Sequence, residues 1–140
     1  NISVRDNLWH HIAISTNGMT ATLFLDGNGN DTIAVPDSKL LASENKLFFI
    51  GSSDKAKFFS GLIDEIRIWN SSKTQKEIQT FMRVSSKGNE TDLIGYYSMY
   101  EAKGLVLHDL SNNKNDAKLG NSDEVNQMQP VWLIAEPLTR

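Results

Sequence analysis

The sequence predicts an all-β protein, an antiparallel sandwich of the jelly-roll kind, with one short covering helix near residues 74–84. Three observations lead there. Short runs alternate apolar and polar residues with a period of two. Pairs and clusters of Gly, Asn and Asp punctuate those runs at turn positions. Only one segment switches to the three- and four-residue spacing of a helix.

The first run is "LWHHIAIS", Leu8 to Ser15, which sets Leu8, His10, Ile12 and Ile14 on one face and Trp9, His11 and Ala13 on the other. Asn17-Gly18 is a tight hairpin signal. "MTATLFLD" follows, with Ala21, Leu23 and Leu25 sharing a side, and "DGNGND" (Asp26 to Asp31) reads as the loop that ends it. Thr32 to Asn45 carries a proline among scattered polar residues and reads mostly as loop. "KLFFIG", Lys46 to Gly51, reads as a short buried strand. "FFSGLIDEIRIWN", Phe58 to Asn70, reads as the longest strand of this half.

The helix announces its own start. Thr74 and Glu77 are spaced as a capping box, in which the hydroxyl and the carboxylate satisfy N–H groups left without partners in the first turn. Ile78, Phe81 and Met82 then fall on one face, and Gly88 follows the expected end near Val84. Strands return with "DLIGYYSMY" (Asp92 to Tyr100) and "GLVLHDLS". "SNNKND" (Ser111 to Asp116) is a polar loop, and "PVWLIA" (Pro130 to Ala135) is expected to close the fold.

Composition removes several classes of function. A length of 140 residues suits one domain. With 14 Lys and Arg against 17 Asp and Glu, the net charge is -3, and no cationic stripe is available to displace counterions from nucleic acid. No apolar run approaches the roughly 20 residues of a membrane helix, so no membrane insertion is expected. Cysteine is absent, which excludes disulfide and thiol chemistry. The chain begins at Asn1 without Met, as if cut from something longer. Asn-x-Ser/Thr acceptors at Asn1, Asn30, Asn70 and Asn89 favour a secreted or cell-surface protein, against the bland alternative of chance sequons.

Asp64 and Glu65 sit side by side within "GLIDEIRIW". Neighbours on a strand point to opposite faces. They are therefore not expected to serve as a carboxylate pair, which retaining glycosidases hold about 5 Å apart. On this alternation Glu65 shares a face with Ile63, Arg67 and Trp69, and pairs with Arg67 in solvent. Asp64 falls on the apolar face with Leu62, Ile66 and Ile68, where a carboxylate needs a partner or a metal. Two loops have alternate oxygen donors suited to a hard cation. These are Asp26, Asn28, Asn30 and Asp31, read first as a hairpin turn, and Asp109, Ser111, Asn113, Asn115 and Asp116. His10 and His11 face opposite ways and read as packing and hydrogen-bonding residues rather than a metal pair. The aromatic residues Trp9, Trp69, Tyr96, Tyr97 and Tyr100 read mostly as core.

The order "LWHHIAIS…NG…TLFLDG…LFFIGSS…FFSGLIDEIRIWN…TQKEIQTFM…LIGYYSMYEAKGLVLHDLSNNKNDAKLG" resembles the laminin-G-like modules of the concanavalin A-like jelly-roll superfamily, and similar strings occur in pentraxin-like domains. The resemblance runs from about Leu8 to Gly120. It implies that residues 1–136 are the C-terminal major part of one such domain, with 137–140 a tail or linker. It also implies that the strands preceding the Trp-His-His run come from another segment or another chain. In related jelly rolls an Asp at the position matching Asp64 helps hold a structural Ca²⁺; by that resemblance Asp64 is the first metal-ligand candidate, and Asp109 the second from its loop. The glucanases of the superfamily place two Glu and an Asp at alternate positions of one strand, a pattern absent here, so no enzyme activity is expected. The function implied is noncatalytic extracellular recognition or adhesion, binding glycan or protein. The alternative is a structural assembly unit completed by strands from a neighbour. A glucanase-like hydrolase is a third reading, disfavoured by the carboxylates.

Overall fold

A computed structural model describes residues 4–35, 49–53, 57–120 and 130–133. Every strand pair is antiparallel, and one short helix is present among the described residues. This agrees with the predicted all-β, antiparallel class with one short helix, the pairs grouping into sheets of three, two, two and two strands. The chain divides into two compact units, Asn1–Ser60 with Ser71–Ser85, and Gly61–Asn70 with Ser86–Arg140.

The first unit is built on a three-stranded sheet in the order β1-β2-β3, with β1 at Ile12–Thr16, β2 at Thr20–Leu25 and β3 at Asn28–Ala34. The Asn17-Gly18 turn forms as the dipeptide requires. Gly18 takes φ +88, and the Asn17 side chain accepts from the N–H groups of Met19 and Thr20. Asp26 and Gly27, both left-handed at φ 51 and 76, make the two-residue turn between β2 and β3. "DGNGND" is thus turn and strand rather than loop, and the strand runs into the segment read as loop from Thr32. Its residues are all exposed, so no alternation of buried side chains marked it. Of "KLFFIG", only Phe49 to Gly51 is described, and Phe49 and Ile50 are exposed and outside any strand; β4 is Ser52–Ser53, paired with β5 at Lys57–Phe58.

Helix α1, Gln75–Phe81, begins at the capping box as expected: Thr74 accepts from the Glu77 N–H, and the Glu77 carboxylate takes the Thr74 N–H at 2.7 Å. It buries Ile78, and its Gln79 side chain donates to the Gly27 carbonyl at 3.0 Å. Ser15 donates to the Lys73 carbonyl at 2.8 Å. Among the described residues, the opposite face of the sheet carries its isoleucines in the open. Ile12 pairs with Leu25 and Ile14 with Leu23 across the β1–β2 ladder, yet Ile12, Ile14 and Ile33 are more than half exposed.

In the second unit β6, Ile66–Trp69, pairs with β7, Leu93–Tyr97. Here lies most of the buried apolar residues, Leu93, Tyr96, Tyr97 and Leu107. Burying side chains of this size contributes about 1.5–3 kcal/mol each. β8, Val106–Leu107, pairs with β9, Ala117–Lys118. Of the expected closing strand, Pro130 to Leu133 lie outside any strand, and the two residues after them fall outside the described set. The 137–140 tail is likewise outside it.

Candidate functional site

The strand of the second unit starts later than its sequence implies. Gly61 to Glu65 is not extended into the ladder, because Glu65 takes φ 57. A left-handed non-glycine residue costs roughly 1–2 kcal/mol. The Glu65 carboxylate compensates by pairing with the Arg67 guanidinium and accepting the Tyr96 hydroxyl at 3.1 Å. Arg67 in turn lies over the Tyr96 ring, 5.7 Å from its centroid, as the cross-strand partner of that residue. Burial, and after it the Glu65 charge, push the Tyr96 phenol up to about 12. The expectation of a solvated Glu65–Arg67 pair is therefore corrected: their side chains are 12% and 9% exposed. The premise that Asp64 and Glu65 are successive strand residues fails as well, although Glu65 is still tied up by its two partners. Asp64 is partly buried.

Asp109 is the organising residue of the other end of this unit. It is 1% exposed, and its two oxygens accept four hydrogen bonds. Oδ1 takes the N–H groups of Tyr96 at 2.9 Å and Ser111 at 2.8 Å, and Oδ2 takes the Ser111 hydroxyl and the Asn115 N–H, both at 2.9 Å. Burial works to raise its carboxyl, but the three backbone N–H groups outweigh that and hold it below the usual carboxylate value. The loop it folds is docked along β7: Asn113 donates to the Ile94 carbonyl at 3.0 Å, and the Tyr97 hydroxyl donates to the Asn115 carbonyl at 2.6 Å. This donor set does not fit Ca²⁺, which takes oxygen ligands and not N–H groups. Among the described residues no group of three or more His, Asp or Glu side chains is placed to hold a metal. Calcium at Asp64 rests on the resemblance, and calcium at Asp109 on the oxygen-rich spelling of its loop.

Beside this loop the chain forms a shallow depression of about 540 Å³, lined by Glu101, Lys103, Gly104, Leu105, Val106 and His108. Left-handed residues at Met99, Ala102 and Gly104 bend the chain sharply around it. Glu101 Oε1 accepts the His108 N–H at 2.8 Å, and His108 Nδ1 is 2.9 Å from Asp116 Oδ2. Asp116 also accepts the Asp109 N–H at 2.9 Å; that bond and the one from His108 hold its carboxyl low. The Trp132 indole donates to the Gly104 carbonyl at 2.8 Å. None of Glu101, His108 or Trp132 was singled out as a site residue from sequence. The nearest signal is the exposed Tyr100 in "YYSMYEAKG", whose 70% exposure departs from the core reading that holds for Tyr96 and Tyr97.

In the first unit His10 is held between two carboxylates. Its Nδ1 lies 2.9 Å from Asp26 Oδ2 and its Nε2 3.1 Å from Asp6. The hydrogen bonds to Asp26 and then to Asp6 raise its pKa. Asp26 is thereby a turn residue and a histidine partner; the first of these is what its sequence implied. Of the four glycosylation candidates, Asn30, Asn70 and Asn89 are exposed, and Asn1 lies outside the described residues.

Residues 1–79 match the family Laminin_G_3, described as the concanavalin A-like lectin/glucanases superfamily, and the chain belongs to it. Among solved structures it is similar to a "putative carbohydrate binding protein" from Bacteroides ovatus ATCC 8483, with a TM-score of 0.61 and 15% identity, over 84% of this chain and 36% of that one. It is also similar to residues 221-444 of an S-layer domain-containing protein from Clostridium thermocellum ATCC 27405, with a TM-score of 0.46 and 23% identity, over 57% of this chain and 42% of that one. The chain thus spans well under half the length of either. No curated protein matches it. The family contains both lectins and glucanases, so the fold defines a sugar-handling class of scaffold without choosing between binding and hydrolysis. No helix among the described residues is long and apolar enough to cross a membrane.

Proposed function

We propose that the chain is a noncatalytic carbohydrate-recognition module acting outside the cell. Membership of the lectin and glucanase superfamily supports the ligand class. The observation that carries the noncatalytic part is the state of Glu65. Its carboxylate is engaged by Arg67 and Tyr96 and is 12% exposed, so it offers no free acid or nucleophile to a glycosidic bond. The exposed sequon residues Asn30, Asn70 and Asn89 support the extracellular placement. The test is a printed array of neutral and acidic oligosaccharides, with the bound glycans assayed afterwards for new reducing ends. Binding without cleavage is expected. No binding to any glycan overturns the recognition reading, and cleavage that disappears in Glu65→Gln overturns the noncatalytic one.

A second reading, an assembly unit completed by strands from another segment or chain, is favoured by the bare face of Ile12, Ile14 and Ile33. Light scattering tests it: a monomer at all concentrations that also fails to bind an apolar dye counts against it.

A further inference from the structure

We infer that His10 is a pH-released latch: as an imidazolium it ties the segment of residues 4–9 to the turn between β2 and β3, and on losing a proton to water it lets go of Asp6 while keeping Asp26. The latch is independent of the carbohydrate reading and concerns how one end of the first unit is held.

Both ring nitrogens of His10 face carboxylates. Nδ1 lies 2.9 Å from Asp26 Oδ2, and Nε2 lies 3.1 Å from each oxygen of Asp6. An ionised carboxylate only accepts hydrogen bonds, and a neutral imidazole has one N–H to give. The two contacts are hydrogen bonds together only when the ring carries both protons. Each carboxyl is held below its usual value, Asp6 chiefly by the Leu8 N–H and Asp26 chiefly by His10, so both stay ionised through neutral pH. Asp6 and Asp26 are the charged groups that face the ring. His11, the next residue, acts through its charge on Asp26, and Arg5 precedes Asp6 in the segment. Helix α1 meets the turn at Gly27 with Gln79 and Met82, both neutral. Among the described residues no cluster of His, Asp and Glu is placed to hold a metal, so the carboxylates here serve the ring.

The two carboxylates are not held equally. Asp26 is also fixed by backbone: its Oδ1 accepts the His11 N–H at 2.9 Å, and its own N–H donates to the His11 carbonyl at 2.8 Å. Apart from His10, Asp6 is met by the Leu8 N–H at 3.0 Å, a bond that stays within its own bend. Of the two histidine contacts, the one to Asp26 is the shorter and does most to keep the ring charged. A ring with one proton therefore keeps it on Nδ1. Nε2 then turns a lone pair on the Asp6 carboxylate, and two acceptors at that distance repel. The bend at Asn7, left-handed at φ 65, loses its tie to the ring. Leu8 and Trp9, 70% and 47% exposed, lie between Asp6 and His10, so the apolar surface they present shifts with pH. The two bonds raise the His10 pKa, so the latch is shut below about pH 6.5 and opens as the pH rises through the raised value.

The test is NMR on the intact, isotope-labelled chain at about pH 5.5 and about pH 9, on either side of the ordinary histidine value. Imidazole nitrogen shifts read where the proton sits. Carbon relaxation reads the order of residues 4–9 without relying on amide protons. At the lower pH both ring nitrogens are expected to be protonated and the segment ordered. At the higher pH Nδ1 alone is expected to keep its proton, the segment to lose order, and the β2–β3 turn to hold. In Asp6→Asn the side-chain amide can donate to the bare Nε2, so the segment is expected to stay ordered at both pH values. In His10→Gln, checked for folding by circular dichroism, the pH response is expected to vanish. Equal order at both pH values in wild type overturns the latch. A proton left on Nε2, with the turn loosening instead of the segment, overturns its direction. Loss of order at high pH in Asp6→Asn overturns the part given to Asp6, and a response that survives in His10→Gln overturns the part given to His10.

Discussion

The Asp109 carboxylate receives the backbone N–H of Tyr96 at 2.9 Å, and through that bond the loop after β8 is fastened to the middle of β7. Replacing Asp109 by Ala leaves four donors without their acceptor, three of them buried. Each such group costs about 1–3 kcal/mol, and shared relaxation keeps the sum below simple addition, so a loss of about 3–4 kcal/mol in denaturant unfolding is expected. A loss under about 1 kcal/mol would show that the loop is held by other means. The same residue sets an acid limit. Its folded pKa lies below the usual value, so its contribution is intact above about pH 4 and disappears as the pH falls through the lowered folded value.

His10 responds to pH in the opposite direction. Its folded pKa is raised, so the clamp on Asp6 and Asp26 is complete below about pH 6.5 and is lost as the pH rises through the raised value. An imidazole NMR titration is expected to place His10 above the ordinary histidine range. Asp26→Asn is expected to lower that value more than Asp6→Asn, since the Asp26 bond contributes most. A midpoint at or below the ordinary value in wild type would mean that the ring is neutral between the two carboxylates.

Two glycines with nearly the same φ are expected to respond differently to alanine. Gly18 has open space around it, so only left-handed strain is added, about 1 kcal/mol. Gly88 would set a Cβ 2.2 Å from the Leu110 carbonyl oxygen, a clash with backbone that no rotamer change relieves. A loss of at least about 3 kcal/mol is expected there, comparable to the severe end of single substitutions. Thermal melts of the two variants check the contrast, and similar midpoints would contradict it.

Tyr96→Phe removes the hydroxyl that supports Glu65. A hydrogen bond to a charged, largely covered carboxylate is worth about 2 kcal/mol, and that loss is expected in chemical unfolding. In wild type the Tyr96 phenol stays protonated through a spectrophotometric titration up to about pH 11, one unit below its raised value near 12. Ionisation of Tyr96 near pH 10 would show that the phenol is in water.

The parts of this fold that were legible in the sequence carry their signals locally. Thr74 and Glu77 announce the helix because a capping box is satisfied within one turn, and Asn17-Gly18 announces its hairpin because few other dipeptides accept that backbone. β3 gave no such sign, since Asn28 to Ala34 is exposed throughout and its pairing is decided by β2. The left-handed Glu65 is equally silent: its conformation depends on Arg67 and on Tyr96, which is 31 residues away. Asp109 shows a different difficulty. A loop of alternating Asp, Ser and Asn can gather a cation or its own N–H groups, and the same short polar side chains serve both ends.

The uncovered side of the β1–β2–β3 sheet gives its residues two separate reasons to be apolar. Phe24, buried in the first unit, answers to folding, and a polar replacement there is expected to destabilise it. Ile14, 73% exposed, answers to whatever lies against it, and its exchange for threonine should leave the hairpin's own melting almost untouched. Mutational screens that read only folding will therefore pass over that side. Screens that read association or solubility will find it first.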